Sequence, residues 1–241
     1  MGSRWSRGAS ETPERRGEGW TGRGWTLSLK RSKPIIGIVG TIGAGKSAVA
    51  GLLAELGAGV IDSDAAAHEV LQEEDVRGTL VHWWGPRVCP DGQTVDRSVV
   101  ASIVFADPEQ LRRLEGLLYP RIAERRDAQA ARFEQDAAIR AIVLDAPKLI
   151  EAGLDNQCDA IVLVDADRNR RLQRLAASRG WTEADLLARE RWQISVDEKR
   201  AKADEVIIND ADVSALRPVV RAAFERILGT FHRGRPDQVH A

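Results

Sequence analysis

Residues 35–53 read IIGIVGTIGAGKSAVAGLL, and the order of residue types in this stretch decides the fold. Ile35, Ile36, Ile38 and Val39 form a β-branched apolar run that stops at Gly40. Gly43, Gly45, Lys46 and Ser47 follow, then a segment rich in alanine and leucine. The pattern predicts strand, glycine loop and helix, and residues 40–47 fit the phosphate-loop form G-x-x-x-x-G-K-[ST]. Glycines permit positive φ, so successive N–H groups can turn toward phosphate oxygens without a Cβ in the way. The helix that begins where the loop ends adds its positive dipole end. On this reading Gly43, Ala44, Gly45, Lys46, Ser47 and Ala48 bind the nucleotide. Lys46 reaches the β- and γ-phosphates, and the Ser47 hydroxyl sits on Mg²⁺. The bland alternative is a chance glycine turn, but strand and helix both stand where the motif needs them.

The 241 residues suffice for one large domain or two small ones with a buried core. A hydrophobic share of 43% against a charged share of 29% is that of a soluble globular protein. The formal net charge of −1 supplies no global field for nucleic acid or an anionic membrane, and neither partner is expected. Cys89 and Cys158 lie far apart without metal-ligand spacing, which suggests free thiols in a reducing compartment. No apolar run approaches a membrane span and no signal-peptide core follows the N-terminus, so the expected location is cytoplasmic.

Residues 1–33 are rich in Gly, Arg, Ser and Trp, with no periodicity, and read as a disordered leader. Met1-Gly2 with Ser6 formally matches a myristoylation signal and Arg15-Arg16 a twin-arginine pair, both without supporting context. The domain is expected over 34–230, with a flexible tail at 231–241.

After the loop, a helix is predicted over 46–56 and a short strand over 59–61, leading into Asp62-Ser63-Asp64. Asp64 stands where a helix N-cap belongs. Two carboxylates at a strand end beside a phosphate loop have a second use. One can accept the proton of an attacking hydroxyl, while the other holds a metal-bound water. Position alone leaves both readings open. Residues 76–136 read as a helical insertion, with Asp91-Gly92 a turn, Asp96 a cap, Asp107-Pro108 opening a longer helix, and Pro120 breaking or kinking it. Its arginines Arg97, Arg112, Arg113 and Arg121 form a solvated face unless one or two turn toward the loop to grip an anion. Residues 141–144 form a buried strand ending in Asp145, a Walker-B-like position for Mg²⁺. A second such strand, 160–164, ends at Asp165. Strands alternating with helices imply an α/β fold with a parallel sheet and ligands at the strands' carboxyl ends. Residues 167–200, carrying Arg168, Arg170, Arg171, Arg174 and Arg179, read as a helical lid, with a capping box from Thr182 to Asp185 opening a helix through Arg189, Arg191 and Gln193. A last strand at 205–208 reaches Asn209, and a closing helix over 213–228 offers Ala215, Val219, Ala222, Phe224 and Ile227 as core positions.

In family order, the runs IGIVGTIGAGKS (36–47), VIDSDAAAHEVL (60–71), VLDAPKLIEAGLDNQCDAIVLVD (143–165) and DEKRAKADEVIIN (197–209), with Arg189 and Gln193, resemble the bacterial dephospho-coenzyme A kinases. The resemblance spans about 35–228. It implies a P-loop kinase domain that uses ATP and Mg²⁺ to phosphorylate the ribose 3′-hydroxyl of dephospho-coenzyme A. It further implies Asp64 as base, with Lys46 beside it in catalysis, and Ser47 and Asp145 at the metal. Arg179 would lie on phosphates, Asn209 near adenine, and Asp62, His68, Arg97 and Arg121 toward the acceptor. The chain departs from the family pattern at Thr41, where a glycine is usual, and at Tyr119, which replaces a histidine. It departs again at Lys148, where leucine is common, and at Ser178-Arg179-Gly180 in place of Arg-Asp. Another P-loop small-molecule kinase, such as a nucleoside monophosphate kinase, and an inactive ATP-binding homologue are the alternatives. A monomer or weak homo-oligomer is expected.

Overall fold

The computed structural model describes residues 31–233. The leader up to residue 30 and the tail beyond 233 lie outside the described residues. Residues 31–33 are already tied to the domain: Arg31 pairs with Asp159 at 3.1 Å, and Lys33 Nζ donates to the carbonyls of Phe133 and Asp136.

The chain runs β1 (Ile35–Gly40), α1 (Lys46–Glu55), β2 (Ala58–Asp62), α2 (Ser63–Leu71), α3 (Glu74–Trp84), α4 (Arg97–Ala106), α5 (Pro108–Gln135), β3 (Ala141–Asp145), β4 (Ala160–Asp165), α6 (Arg168–Arg179), α7 (Glu183–Glu190), α8 (Val196–Ala201), β5 (Glu205–Ile208) and α9 (Val213–Arg233). The strands form one parallel sheet in the order β2-β3-β1-β4-β5.

Parallel strands covered on both faces read as continuous apolar runs, and β1, β3 and β4 do so. Their side chains alternate between two cores. Ile36 and Ile38 join Leu52 and Leu53 of α1 and Val220 and Phe224 of α9 on one face. Ile35 and Val39 join Ile142, Leu144 and Leu163 on the other, under Ala123 and Ala130 of α5. A third core, with Val70, Leu80, Val100, Leu114 and Leu118, belongs to α2–α5. It draws on the stretch read from sequence as a helical insertion, together with α2.

Because every strand points the same way, the loop after β1 and the carboxylates that end β2, β3 and β4 share one edge. Asp62 pairs in register with Asp145, and Gly40 with Val164. β1 pairs with β3 on one side and β4 on the other, so this edge holds the crevice where α/β sheets take ligands.

Three sequence expectations change. Pro120 does not break α5, which runs unbroken from Pro108 to Gln135. The missing hydrogen bond is outweighed by packing on both sides of it, Leu114, Leu118 and Ile122 in the insertion core and Ala123 and Ala130 under the sheet. In α9 the buried face is Leu216, Val220, Ala223, Phe224, Ile227 and Leu228, so Ala215, Val219 and Ala222 face solvent. With apolar residues at most positions of that helix, composition left its phase ambiguous by one residue. The helix opened by Thr182 ends at Glu190, before Gln193.

Candidate active site

The loop between β1 and α1 takes its shape from two glycines in the left-handed region, Gly43 at φ 81° and Gly45 at φ 86°. A Cβ on Gly45 would run into the side chain of Asn209, so both space and φ require glycine there. Gly45 is also the N-cap of α1 and brings no side-chain cap, which leaves the first N–H groups of that helix for a ligand.

The loop's carbonyls are tied from behind by donors that follow β4. Lys199 Nζ donates to Gly40 O at 3.1 Å and Arg171 Nη1 to Ile42 O at 3.2 Å. Ala44 O accepts from Asn209 Nδ2 at 2.7 Å and Arg174 Nη1 at 3.3 Å. Carbonyls held on the outer side favour amide hydrogens on the inner side, the polarity an anion needs. Thr41, the departure from the family's glycine, donates from Oγ1 to Asp165 Oδ1 at 3.0 Å, and Arg200 holds the other oxygen of Asp165 at 2.8 Å.

In front of the loop lies a cleft of about 430 Å³, whose lining includes Lys46, Ser47, Asp62, Asp64, Asp145, Arg174, Arg179 and Gln193. Lys46 Nζ forms an ion pair with Asp145 Oδ1. The helix cap falls to Asp62 and not, as the sequence position suggested, to Asp64. Asp62 Oδ1 accepts from the N–H groups of Asp64 and Ala65. The reason is where β2 ends: Asp62 is still extended, at φ −91° and ψ 105°, so Asp64 falls inside the first turn.

Partial loss of water in the cleft pushes the Asp64 carboxyl above the usual carboxylate range. The charge of Asp62 acts next and in the same direction, with Asp145 a smaller push. Lys46 and His68 pull the other way. His68, one helical turn along α2, is exposed.

Arg179 closes α6 and lines the cleft, its guanidinium 4.9 Å from the centre of the Trp181 ring. The structure does not bring the two acceptor arginines to this cleft. Arg97 is exposed at the first turn of α4, and Arg121 is bound by Asp75 at 2.6 Å and Glu73 at 3.6 Å. Asn209 is buried beneath the loop, its amide taken up by Ala44 and not turned to a base. Lys148 is exposed and outside the cleft lining, and Tyr119 packs on the insertion core with its hydroxyl donating to Glu115 at 2.8 Å. Arg174 is the cleft arginine that had no separate role in the sequence reading. Lys199 and Arg171, which hold the loop, had none either. Their only signal was membership of basic runs, with no partner visible.

A glycine loop of this form at the switch point of an all-parallel sheet defines a P-loop nucleotide-binding protein. The dephospho-CoA kinase family model matches residues 34–215. A dephospho-CoA kinase of Deinococcus radiodurans is 40% identical over 195 residues, covering 80% of this chain and 91% of the relative. That of Streptomyces avermitilis is 40% identical over 206 residues, covering 84% and 98%. A solved protein of Thermus thermophilus superposes with a TM-score of 0.67 at 33% identity, covering 80% and 97%. The dephospho-CoA kinase of Campylobacter jejuni shares the fold at a TM-score of 0.55 and 22% identity, covering 81% and 97%. The chain belongs to the dephospho-CoA kinase family.

Proposed function

We propose that the protein transfers the γ-phosphoryl group of ATP to the ribose 3′-hydroxyl of dephospho-CoA, giving CoA. The observation that carries this reading is the Asp64 carboxyl, left out of the helix cap and opening into the same cleft as Lys46 and Ser47. The uncapped start of α1 and the loop amides receive the β-phosphate, and Lys46 leaves Asp145 to meet the incoming negative charge. Arg174 and Arg179 line the same cleft and are the arginines available to the transferring group. Asp64 takes the hydroxyl proton as the new P–O bond forms, a contribution of about 10²- to 10⁴-fold. Positioning and charge neutralisation supply the rest.

Ser47 and Asp145 line the same cleft and offer oxygen ligands, and among the described residues no group of three or more His, Cys, Asp or Glu is placed to hold a metal by itself. That donor set fits Mg²⁺, which keeps most of its waters and binds through one or two carboxylates and the substrate phosphates. Ser47 and Asp145 would hold it, and it would supply positive charge against the transferring phosphoryl group.

Among the described residues no helix is long and apolar enough to cross a membrane. A cytoplasmic location and a monomeric or weakly associating chain complete the proposal. Two free cysteines among the described residues fit a reducing compartment. The test is ADP release in a coupled assay. It should depend on dephospho-CoA and on Mg²⁺, with AMP and shikimate as silent acceptors. Turnover that AMP supports as well as dephospho-CoA would move the protein to another kinase class.

A further inference from the structure

Gln193 lines the cleft yet belongs to no helix, in the short turn between α7 and α8. Its carboxamide has a fixed sense. Lys199 Nζ lies 2.7 Å from the side-chain oxygen, and an ammonium group only donates, so the atom it meets must be Oε1 and not Nε2. Lys199 is itself immobilised, buried and bonded to Gly40 O. The backbone beside Gln193 is pinned as well, since Ile194 N donates to Glu151 Oε1 at 3.2 Å. Both protons of Nε2 remain without an acceptor among the described residues, and Nε2 is not sealed from solvent.

The cleft that Gln193 shares with Lys46 points to the part of a bound triphosphate this amide faces. Gly40 opens the loop, beside the end of β1, whereas Arg174 and Asn209 grip Ala44 at its far end. In a phosphate loop the backbone amides cradle the phosphates and the lysine that starts the helix reaches the β- and γ-phosphates, and Gln193 lines the same cleft as Lys46. We propose that Gln193, with its carboxamide turned by Lys199, donates a hydrogen bond from Nε2 to a γ-phosphate oxygen of the bound nucleotide. Gln193 thereby touches substrate, and Lys199 acts through it as a positioning residue. The inference rests on the kinase reading for its nucleotide and on nothing about the acceptor.

Affinities of the full-length chain for ADP and for a non-hydrolysable ATP analogue, measured by calorimetry without acceptor, test it. A hydrogen bond to a charged oxygen implies that Gln193→Met weakens the analogue about tenfold and ADP less than twofold. Gln193→Glu, which replaces the donor with a negative charge, should weaken the analogue further and leave ADP the less affected ligand. Lys199→Met also frees Gly40 O and so costs both ligands; its extra loss for the analogue over ADP should match that of Gln193→Met and grow less than twofold in the double variant, because that difference comes from one interaction. Should Lys199→Met fail to fold, the two Gln193 variants decide alone. An unchanged ratio of the two affinities in Gln193→Met, or changes in that ratio that multiply in the double variant, would overturn the assignment. Dephospho-CoA is absent from these measurements, so failure to phosphorylate it would sink the proposed function and leave this result standing.

Discussion

Asp62 Oδ1 accepts the backbone N–H of Asp64 at 2.9 Å, so two aspartates that look equivalent in sequence do different work. The first fixes the start of α2. The second keeps its carboxyl for the cleft, where the negative charge of the first raises its proton affinity.

Asp64→Asn should therefore fold and bind ATP as the wild type does while losing about 10²- to 10⁴-fold in kcat. Steady-state kinetics with dephospho-CoA, beside a nucleotide titration, check both halves. Wild-type turnover in the variant would remove Asp64 from the role of base.

Replacing Asp62 separates cap from charge. Asp62→Ala removes the side-chain cap and should lower stability by about 0.5–2 kcal/mol, read from denaturant unfolding. Asp62→Asn caps almost as well but no longer carries the charge that pushes Asp64 up.

The same pair predicts a pH effect. As the proposed base, Asp64 would have to be deprotonated to act, and its carboxyl is raised, so kcat/KM should fall on the acid side at a higher pH than an ordinary carboxylate gives. In Asp62→Asn that limb should move to lower pH. A limb that stays put or moves up would mean another group controls it.

Much of this was legible before any coordinates, and the reasons are local. The apolar run, the glycines and the lysine of residues 35–47 specify strand, loop and helix within a few residues of one another, and the structure places all three there. Asp96 and Asp107 cap their helices, and Thr182 forms its capping box, as short-range rules predict. The cap on α2 was misplaced because it turned on which residue ends β2, a boundary that tertiary pairing with β3 decides. What holds the loop was invisible for another reason. Lys199 and Gly40 are 159 residues apart, and no spacing rule says which of many basic residues will meet a given carbonyl. Arg121 shows the converse: an arginine that sequence offers to the acceptor is neutralised by Glu73 and Asp75 once the insertion folds.

Thr41→Val deletes the hydroxyl that binds Asp165 and leaves that carboxylate to Arg200 and the N–H of Ala166. A loss of about 0.5–1.5 kcal/mol in unfolding free energy is expected, with kcat changed little. Thermal and denaturant unfolding measure the first, and the coupled assay the second.

Burial pushes the Cys158 thiol up to about 12, with Asp155 and Asp159 adding to the effect. Thiolate is the reactive form, so Cys158 should resist a disulfide exchange reagent at pH 8 in the native state and react once unfolded. Rapid native labelling, located by peptide mass, would contradict this environment.

The unbroken α5 carries one more consequence. Its first half is seated among α2 and α4, and its second half lies against β2 and β3. At 28 residues it is a spar about 42 Å long that ties the insertion core to the sheet. If residues 167–200 act as a lid, as we propose, the motion of turnover is expected where α6 and α7 meet through a left-handed glycine, Gly180. Amide exchange should accordingly be quick around residues 180–195 and slow along the whole of α5.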